Sequence, residues 1–455
     1  MTTLSSAIAT VHRTQPLLLK GAVSAVRGMS VLVEDFPVPV GAMVTIHSSA
    51  GVRAEPIPGE VVGFTKEHAV IMLLGQTGGI RAGDRVHAEQ SSPTVGVSRL
   101  MLGRVLDGLA RPIDGGPAIR DIHPVPLSPE PVSAMRRKRI NRALATGVRA
   151  MDVMTTLGRG QRLGIFAGPG VGKSTLLGTI AKRTAADVNV IALIGERGRE
   201  VKDFIEHALG PEGLKRSVVI VATGDESPLL RLRAARLACS VSEFFRDLGK
   251  DVLLMMDSIT RFAHAQRQIG LSVGEPPATK GYTPSVFSAL AGLLERAGTL
   301  QTGGSVTGLY TILVEGDDMT EPVSDAARGI LDGHVILSRK LAQKAHYPAI
   351  DVLDSVSRVA DDVTEPSHQA ARRQILRLMA VYREVEDLVQ IGAYARGSNP
   401  EADVAIELQP MINELLRQNG GDAPTFDQAR ASLLKLAEQA AAVGARLARS
   451  RTRAA

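Results

Sequence analysis

The stretch that most limits what this chain can become is RLGIFAGPGVGKSTLLGTIAKRT, Arg162 to Thr184. It carries an apolar segment into a loop of glycines and a proline, then into Leu176, Leu177 and Ile180 at helical spacing. A strand that delivers such a loop to a helix N-terminus offers backbone N–H groups and a positive helix end to a phosphate chain. On this reading Gly168, Pro169, Gly170, Val171, Gly172, Lys173, Ser174 and Thr175 form the phosphate-binding loop. Backbone N–H groups from Gly170 to Lys173 wrap the β-phosphate, Lys173 reaches the β and γ oxygens, and Ser174 ligates Mg²⁺. The motif's first glycine is Ala167 here, a small residue that the looser form allows.

The surroundings agree with this context. NVIALIG, SVVIVAT, DVLLMMD, YTILVEG and GHVILS are continuous apolar runs separated by helical patterns, which predicts a parallel sheet covered on both faces. From Pro16 to Gln90 the runs are shorter, β-branched and cut by Gly and Pro, as in GMSVLVEDF and GAMVTIHS, which predicts a small closed β-barrel. From about Ser367 only helical periodicity remains. The predicted class is α/β: a P-loop parallel-sheet core between an N-terminal β-barrel and a C-terminal helical domain. The expected segments are 1–15, a short helical docking handle or a disordered end, 16–92 the barrel, 93–366 the nucleotide-binding domain and 367–455 the helices. A chain of 455 residues suits roughly three domains at about 150 residues each.

Composition excludes several classes. Apolar residues at 44% and charged residues at 22% belong to a globular protein with a core, not a disordered chain. Aromatics at 3%, with no Trp, argue against cofactor boxes built from rings, and the barrel segment shows no aromatic interleaving among its basic residues, as stacking on single strands needs, so no specific nucleic-acid partner is expected. Cys239 is the sole cysteine, so no internal disulfide forms and a reducing compartment is expected. The N-terminus lacks a secretory pattern and no 18 apolar residues run together, which predicts a cytoplasmic protein. The ten histidines include no HExxH, and His264, His334 and His346 read as packing or surface residues. The net charge of +6 is a mild basic excess. MRRKRINR, behind Pro124, Pro126, Pro129 and Pro131, fits a solvated linker better than a binding patch, and ARLARSRTRAA fits a frayed helix end better than a polyanion contact.

Further residues supply a hydrolytic site. Asp257 ends an apolar strand, where a Mg²⁺-holding carboxylate sits if that strand runs beside the phosphate loop. Glu196 ends another, followed by Arg197, Arg199 and Glu200; a carboxylate there orients water while an arginine meets phosphate charge. GLSVG matches the nucleophile-elbow pattern around Ser272, but a helical stretch precedes it where that elbow needs a strand.

GPGVGKST, GERGREV, LLMMDSITRF and PAIDVLDSVSR together resemble the rotary ATP synthase catalytic subunits and their secretion relatives, over nearly the whole chain. IGLSVGEPPATKGYTPSVF and VEGDDMTEPVSDAARGILDGHVILSRKLA are more similar to the type III export ATPases. YREVEDLVQIGAYARGSNPEADVAIEL looks like their flagellum-specific branch, with injectisome ATPases sharing most of these strings. The resemblance implies a RecA-like core that hydrolyses ATP with Mg²⁺. It implies that Glu196 polarises water, that Glu200 and Asp257 support the Mg²⁺ shell, and that Arg197 and Arg261 lie near the γ-phosphate. Tyr347 matches the aromatic on which adenine packs, and Arg358 matches an arginine finger inserted by a neighbouring subunit.

A chain holding both Glu196 and Arg358 suits a homohexameric ring. The partners implied are a stator-like regulator at the N-terminus, a coiled-coil stalk in the channel, export substrates with their chaperones and a membrane export gate, at the inner-membrane export apparatus. The TKGYTPSVF loop faces the central channel by analogy or is a surface turn. INELLRQN stands where synthase subunits supply phenylalanines to the adenine pocket, which implies weaker or less selective adenine binding. Two other classes remain open: a hexameric RNA translocase sharing the core fold, and a ring subunit that binds nucleotide without hydrolysing it.

Overall fold

The computed structural model describes residues 19–48, 56–75, 78–90, 94–314 and 318–454. The docking segment expected over 1–15 lies outside the described residues. Strands β1 (Lys20–Arg27), β2 (Ser30–Glu34), β3 (Met43–His47), β4 (Ile57–Phe64), β5 (Ala69–Leu73) and β6 (Arg85–Gln90) close into a barrel in the order β1-β2-β5-β4-β3-β6. The pleat explains the closure: along β3 it turns Val44 and Ile46 inward and leaves His47 outside. Val31, Val33, Val61, Ile71 and Val86 complete the interior.

β7 (Thr94–Val97) pairs with β9 (His123–Pro126) as a small antiparallel ribbon, while β8 (Val105–Asp107) joins the main sheet. That sheet adds β10 (Arg162–Ala167), β11 (Val188–Ile194), β12 (Ser217–Ala222), β13 (Asp251–Asp257), β14 (Gly298–Thr299), β15 (Ser305–Leu313), β16 (Gly333–Leu337) and β17 (Ile350–Ser357). Its order is β17-β16-β10-β15-β13-β11-β12-β8, with β14 against β15. β14 and β17 are antiparallel to their neighbours, and the pairings along the rest of the path are parallel.

Alternation along β11 shows why its sequence is apolar throughout. Val190, Ala192 and Ile194 enter one core with Leu232, Ala235 and Leu237 of the helix Pro228–Asp247. Ile191 and Leu193 enter the other with Leu176, Leu177 and Ile180 of the helix Lys173–Arg183. The second core continues into the C-terminal helices Pro366–Gln390, Pro400–Leu416 and Phe426–Ala454 through Ile375, Leu408, Ile412 and Leu433. Helical domain and phosphate-loop side of the sheet therefore share apolar packing.

Two buried groups tie the barrel to the core. Glu60 of β4 accepts from Arg233 of the helix Pro228–Asp247 at 2.9 Å, with their side chains 6% and 5% exposed. The basic run at Met135–Arg142 keeps most of its side chains exposed, as a solvated linker would, but part of it is tied to the core. Arg137 donates to the carbonyls of Glu295 and Ala297, and the Lys138 N–H to that of Thr299, so the run lies along the core as an added edge. Cys239 is buried, and desolvation pushes its thiol up to about 12, which leaves it a small apolar side chain.

Candidate nucleotide site

The loop between β10 and the helix Lys173–Arg183 is built around backbone that side chains avoid. Gly172 caps the helix at φ 91° and Gly170 sits at φ 76°, both left-handed. No side chain caps the helix, so its first N–H groups remain open toward the loop. Ser174 and Thr175 are exposed in the first turn.

Lys173 does not face solvent in this state. Its Nζ lies 2.5 Å from Asp257 Oδ1 and 3.6 Å from Glu196 Oε1. Burial works against its charge, yet the carboxylates of Asp257 and Glu196 outweigh that and hold the ammonium above its ordinary range. Asp257 reaches the loop by a route the sequence reading did not foresee. β13 does not run beside β10, because β15 lies between them. The gap is spanned by side chains: Thr311 of β15 donates to Asp257 Oδ1 at 2.6 Å. Thr311 is fully buried toward the C-terminal end of β15, a strand that also buries Ser305, Thr307 and Tyr310, so its hydroxyl is not set apart in the sequence.

Glu196 follows β11, and its Oε1 is buried with no hydrogen-bond partner. Desolvation raises its carboxyl to about 7, opposed by Lys173 and reinforced by Asp257 and a hydrogen bond to Glu200. Gly195 makes this approach possible: at φ 72° it leaves room for the Arg261 stem, whose Cβ would stand 2.8 Å from any Cβ placed there. Arg261 belongs to the helix Ile259–Ser272, and Ser258 caps that helix by accepting from the Arg261 N–H. The Arg261 Nε is buried without a partner.

Tyr347 lies over the loop from the other side. Its Cε1 is 3.5 Å from the Cβ position of Gly172 and the residue is 46% exposed, so one face of the ring stays open. The structure thus brings together the loop, Lys173, Asp257, Glu196, Arg261 and Tyr347, with Glu200 beside Glu196. It does not bring in Arg197, whose side chain is 84% exposed and faces Glu200 at 3.7 Å. Nor does it bring in Arg358. β17 is antiparallel to β16, pairing Ile350 with Leu337 and Ser357 with Gly333, and Leu337 in turn pairs with Ala167 at the phosphate loop. Tyr347, just before β17, is at the loop end; Arg358, just after it, is exposed at the opposite end, its N–H donating to Asp332 O.

The remaining candidates have structural duties. Ser272 ends a helix and donates to Ile269 O. His264 is hydrogen-bonded to Tyr282 Oη and His334 to Asp354 O, and burial pushes His264 and His346 down to about 4. Among the described residues no group of three or more His, Cys, Asp or Glu side chains is placed to hold a metal by itself.

Comparison with known proteins follows the same division of the chain. Residues 147–357 match the ATP synthase alpha/beta family nucleotide-binding domain, and residues 364–435 match the type III secretion EscN ATPase C-terminal domain. The chain is 50% identical to the flagellum-specific ATP synthase of Treponema pallidum, covering 94% of this chain and 95% of that one. It is 48% identical to the type 3 secretion system ATPase of Xanthomonas euvesicatoria, covering 88% and 89%. The assembled EscN ATPase of enteropathogenic E. coli superposes with a TM-score of 0.86 at 38% identity, over 92% of this chain and 100% of that chain. The same ATPase in complex with its central stalk EscO gives 0.84, with the same identity and coverage. The chain belongs to the ATP synthase alpha/beta family, among the ATP-hydrolysing flagellum-specific and type III secretion ATPases.

Proposed function

We propose that this chain works as a homohexameric ring whose ATP hydrolysis drives unfolding or release of export substrates and their entry into a flagellar type III export channel. The observation that carries the hydrolytic part is the buried Glu196 Oε1, an acceptor with no donor, 3.6 Å from the phosphate-loop lysine. A water positioned there gives its proton to Glu196 as its oxygen attacks the γ-phosphorus, and the P–O bond to the β-phosphate breaks to leave ADP. Lys173 turns from Asp257 to the phosphate oxygens, Arg261 meets charge on the γ-phosphate, and Tyr347 supports the base. Arg358, remote from its own chain's loop, is the group a neighbouring copy would receive as an arginine finger, and Arg197 faces outward where an interface would enclose it.

The residues fit a Mg²⁺ ion. That cation takes one or two carboxylates with phosphate oxygens and waters, not an all-protein cage, which matches the exposed Ser174 hydroxyl and the acids Asp257 and Glu200 nearby. When bound it neutralises charge developing on the phosphates. The ring rests on the likeness to assembled EscN, and a coiled-coil stalk on the EscO complex. A stator-like regulator on residues 1–20, substrate–chaperone complexes and the membrane gate complete the assembly on the cytoplasmic face of the inner membrane. Among the described residues no helix is long and apolar enough to cross a membrane.

Specific ATPase rate against protein concentration tests the ring: activity per chain should rise on assembly, and a flat curve opposes shared sites. Deleting residues 1–20 should remove regulator binding and leave the core folded. The second reading, an injectisome ATPase, is favoured by the 48% identity to the Xanthomonas enzyme. Loss of filaments on gene deletion supports the flagellar role, and loss of effector secretion with filaments intact supports the other.

A further inference from the structure

The loop after the helix Pro400–Leu416 carries Gln418, a residue of the INELLRQN stretch to which no individual role has been given. Gln418 uses its whole amide, two of its three bonds reaching the Gly147–Arg149 turn and one staying within its own loop. Its Oε1 accepts from the Arg149 N–H at 2.7 Å, and its Nε2 donates to Gly147 O at 2.8 Å and to Asp422 O at 3.0 Å. Its own backbone N–H donates to Tyr347 O at 2.9 Å. Exchanging the amide's oxygen and nitrogen would set donor against donor and acceptor against acceptor, so the orientation is fixed by its partners.

The surroundings hold the Gly147–Arg149 turn in place. Asp152 is buried and accepts from the N–H and hydroxyl of Thr146 and the N–H of Gly147, which freezes the turn that Gln418 grips. Arg149 Nη1 reaches back to Glu414 O, and Arg183, the last residue of the phosphate-loop helix, donates to Gly420 O. The 417–422 loop is thus stitched to both ends of the segment that bears the phosphate loop. Among its backbone bonds, the Gln418 N–H reaches the carbonyl of Tyr347, whose ring lies on Gly172.

We infer that Gln418 is a positioning residue that sets the height of the Tyr347 ring over the phosphate loop, so that the helical domain governs how tightly the nucleotide base is held. This rests on the reading of Tyr347 as the base platform. Gln418 touches neither phosphate nor the reacting atoms; it fixes the Tyr347 carbonyl relative to the Gly147–Arg149 turn. Losing its side chain frees the loop and lets the ring drift, which weakens base contacts and leaves phosphate contacts alone.

The experiment compares ATP with inorganic tripolyphosphate, which has the phosphate chain and no base, on the assembled full-length protein. Gln418→Ala should raise the KM for ATP about 5–10-fold with kcat within about twofold, while the inhibition constant of tripolyphosphate stays unchanged. Gln418→Glu, which keeps the acceptor for Arg149 N–H, should fall between. Tyr347→Ala should raise the KM at least as much, and the Tyr347→Ala/Gln418→Ala double variant no further. If Tyr347→Ala leaves the KM unchanged, the platform reading itself fails. If Tyr347→Ala raises it and Gln418→Ala does not, or if Gln418→Ala weakens ATP and tripolyphosphate alike, the positioning role is overturned. Thermal unfolding of each variant separates loss of fold from loss of base contact.

Discussion

Lys173 and Arg358 stand at opposite ends of one sheet. Leu337 pairs with Ala167 at the phosphate loop, while Gly333 pairs with Ser357 just before Arg358, which spaces the two ends by four strand residues or about 13 Å. Because β17 runs against its neighbour, the segment that sets Tyr347 beside the loop carries Arg358 away from it. In the ring proposed above, a single chain would hold one half of a pocket at one end and offer Arg358 to a neighbour's pocket at the other.

Glu196 gives the sharpest pH prediction. A general base must be deprotonated, and burial raises this carboxyl to about 7. The ratio kcat/KM should therefore rise with pH through about 7 and level off above it. Glu196→Gln should cut kcat by about 10²–10⁴-fold with ATP binding retained. A wild-type profile flat from pH 6 to 8, or undiminished turnover in the variant, would remove Glu196 from the role.

Gly172→Ala forces a side chain into backbone at φ 91°. The strain is about 1–2 kcal/mol and is relieved by moving the loop away from its cradle shape. The KM for ATP should rise about tenfold with the melting temperature little changed. Nucleotide titration matching the wild type would show that the loop tolerates another shape.

Much of this site was legible in the residues, for physical reasons that also set the limit. Gly170, Gly172 and Lys173 announce a phosphate loop because few other uses demand that backbone beside a lysine at a helix start. Asp257 and Glu196 were legible as polar ends of apolar strands. The intervening β15 was not, because strand order is a long-range property, and Thr311 is one of four hydroxyl residues along that strand with nothing local to mark it. Gln418 was legible only as part of INELLRQN, near the adenine pocket by resemblance; its own role acquires meaning only when Gly147, Arg149 and Tyr347 converge on it. The charges of the basic run at Met135–Arg142 do lie mostly in solvent; what they did not announce is that Arg137 and the Lys138 N–H bond to the core edge.

Arg233 and Glu60 predict a stability effect remote from the chemistry. Removing one partner strands a buried charge, so Arg233→Met should cost about 3–5 kcal/mol and lower the melting temperature by several degrees. Pairing it with Glu60→Met should recover most of the loss. A double variant no better than the single would mean the pair does not act as a unit.

The shared pocket is tested most directly by mixing two inactive proteins, Lys173→Ala and Arg358→Ala. Co-assembled rings contain interfaces where an intact phosphate loop from the Arg358→Ala chain meets an intact arginine from the Lys173→Ala chain. Turnover should reappear in the mixture and scale with the fraction of such interfaces. Mixed rings verified by size and composition that stay inactive at every ratio would contradict a site built from two copies.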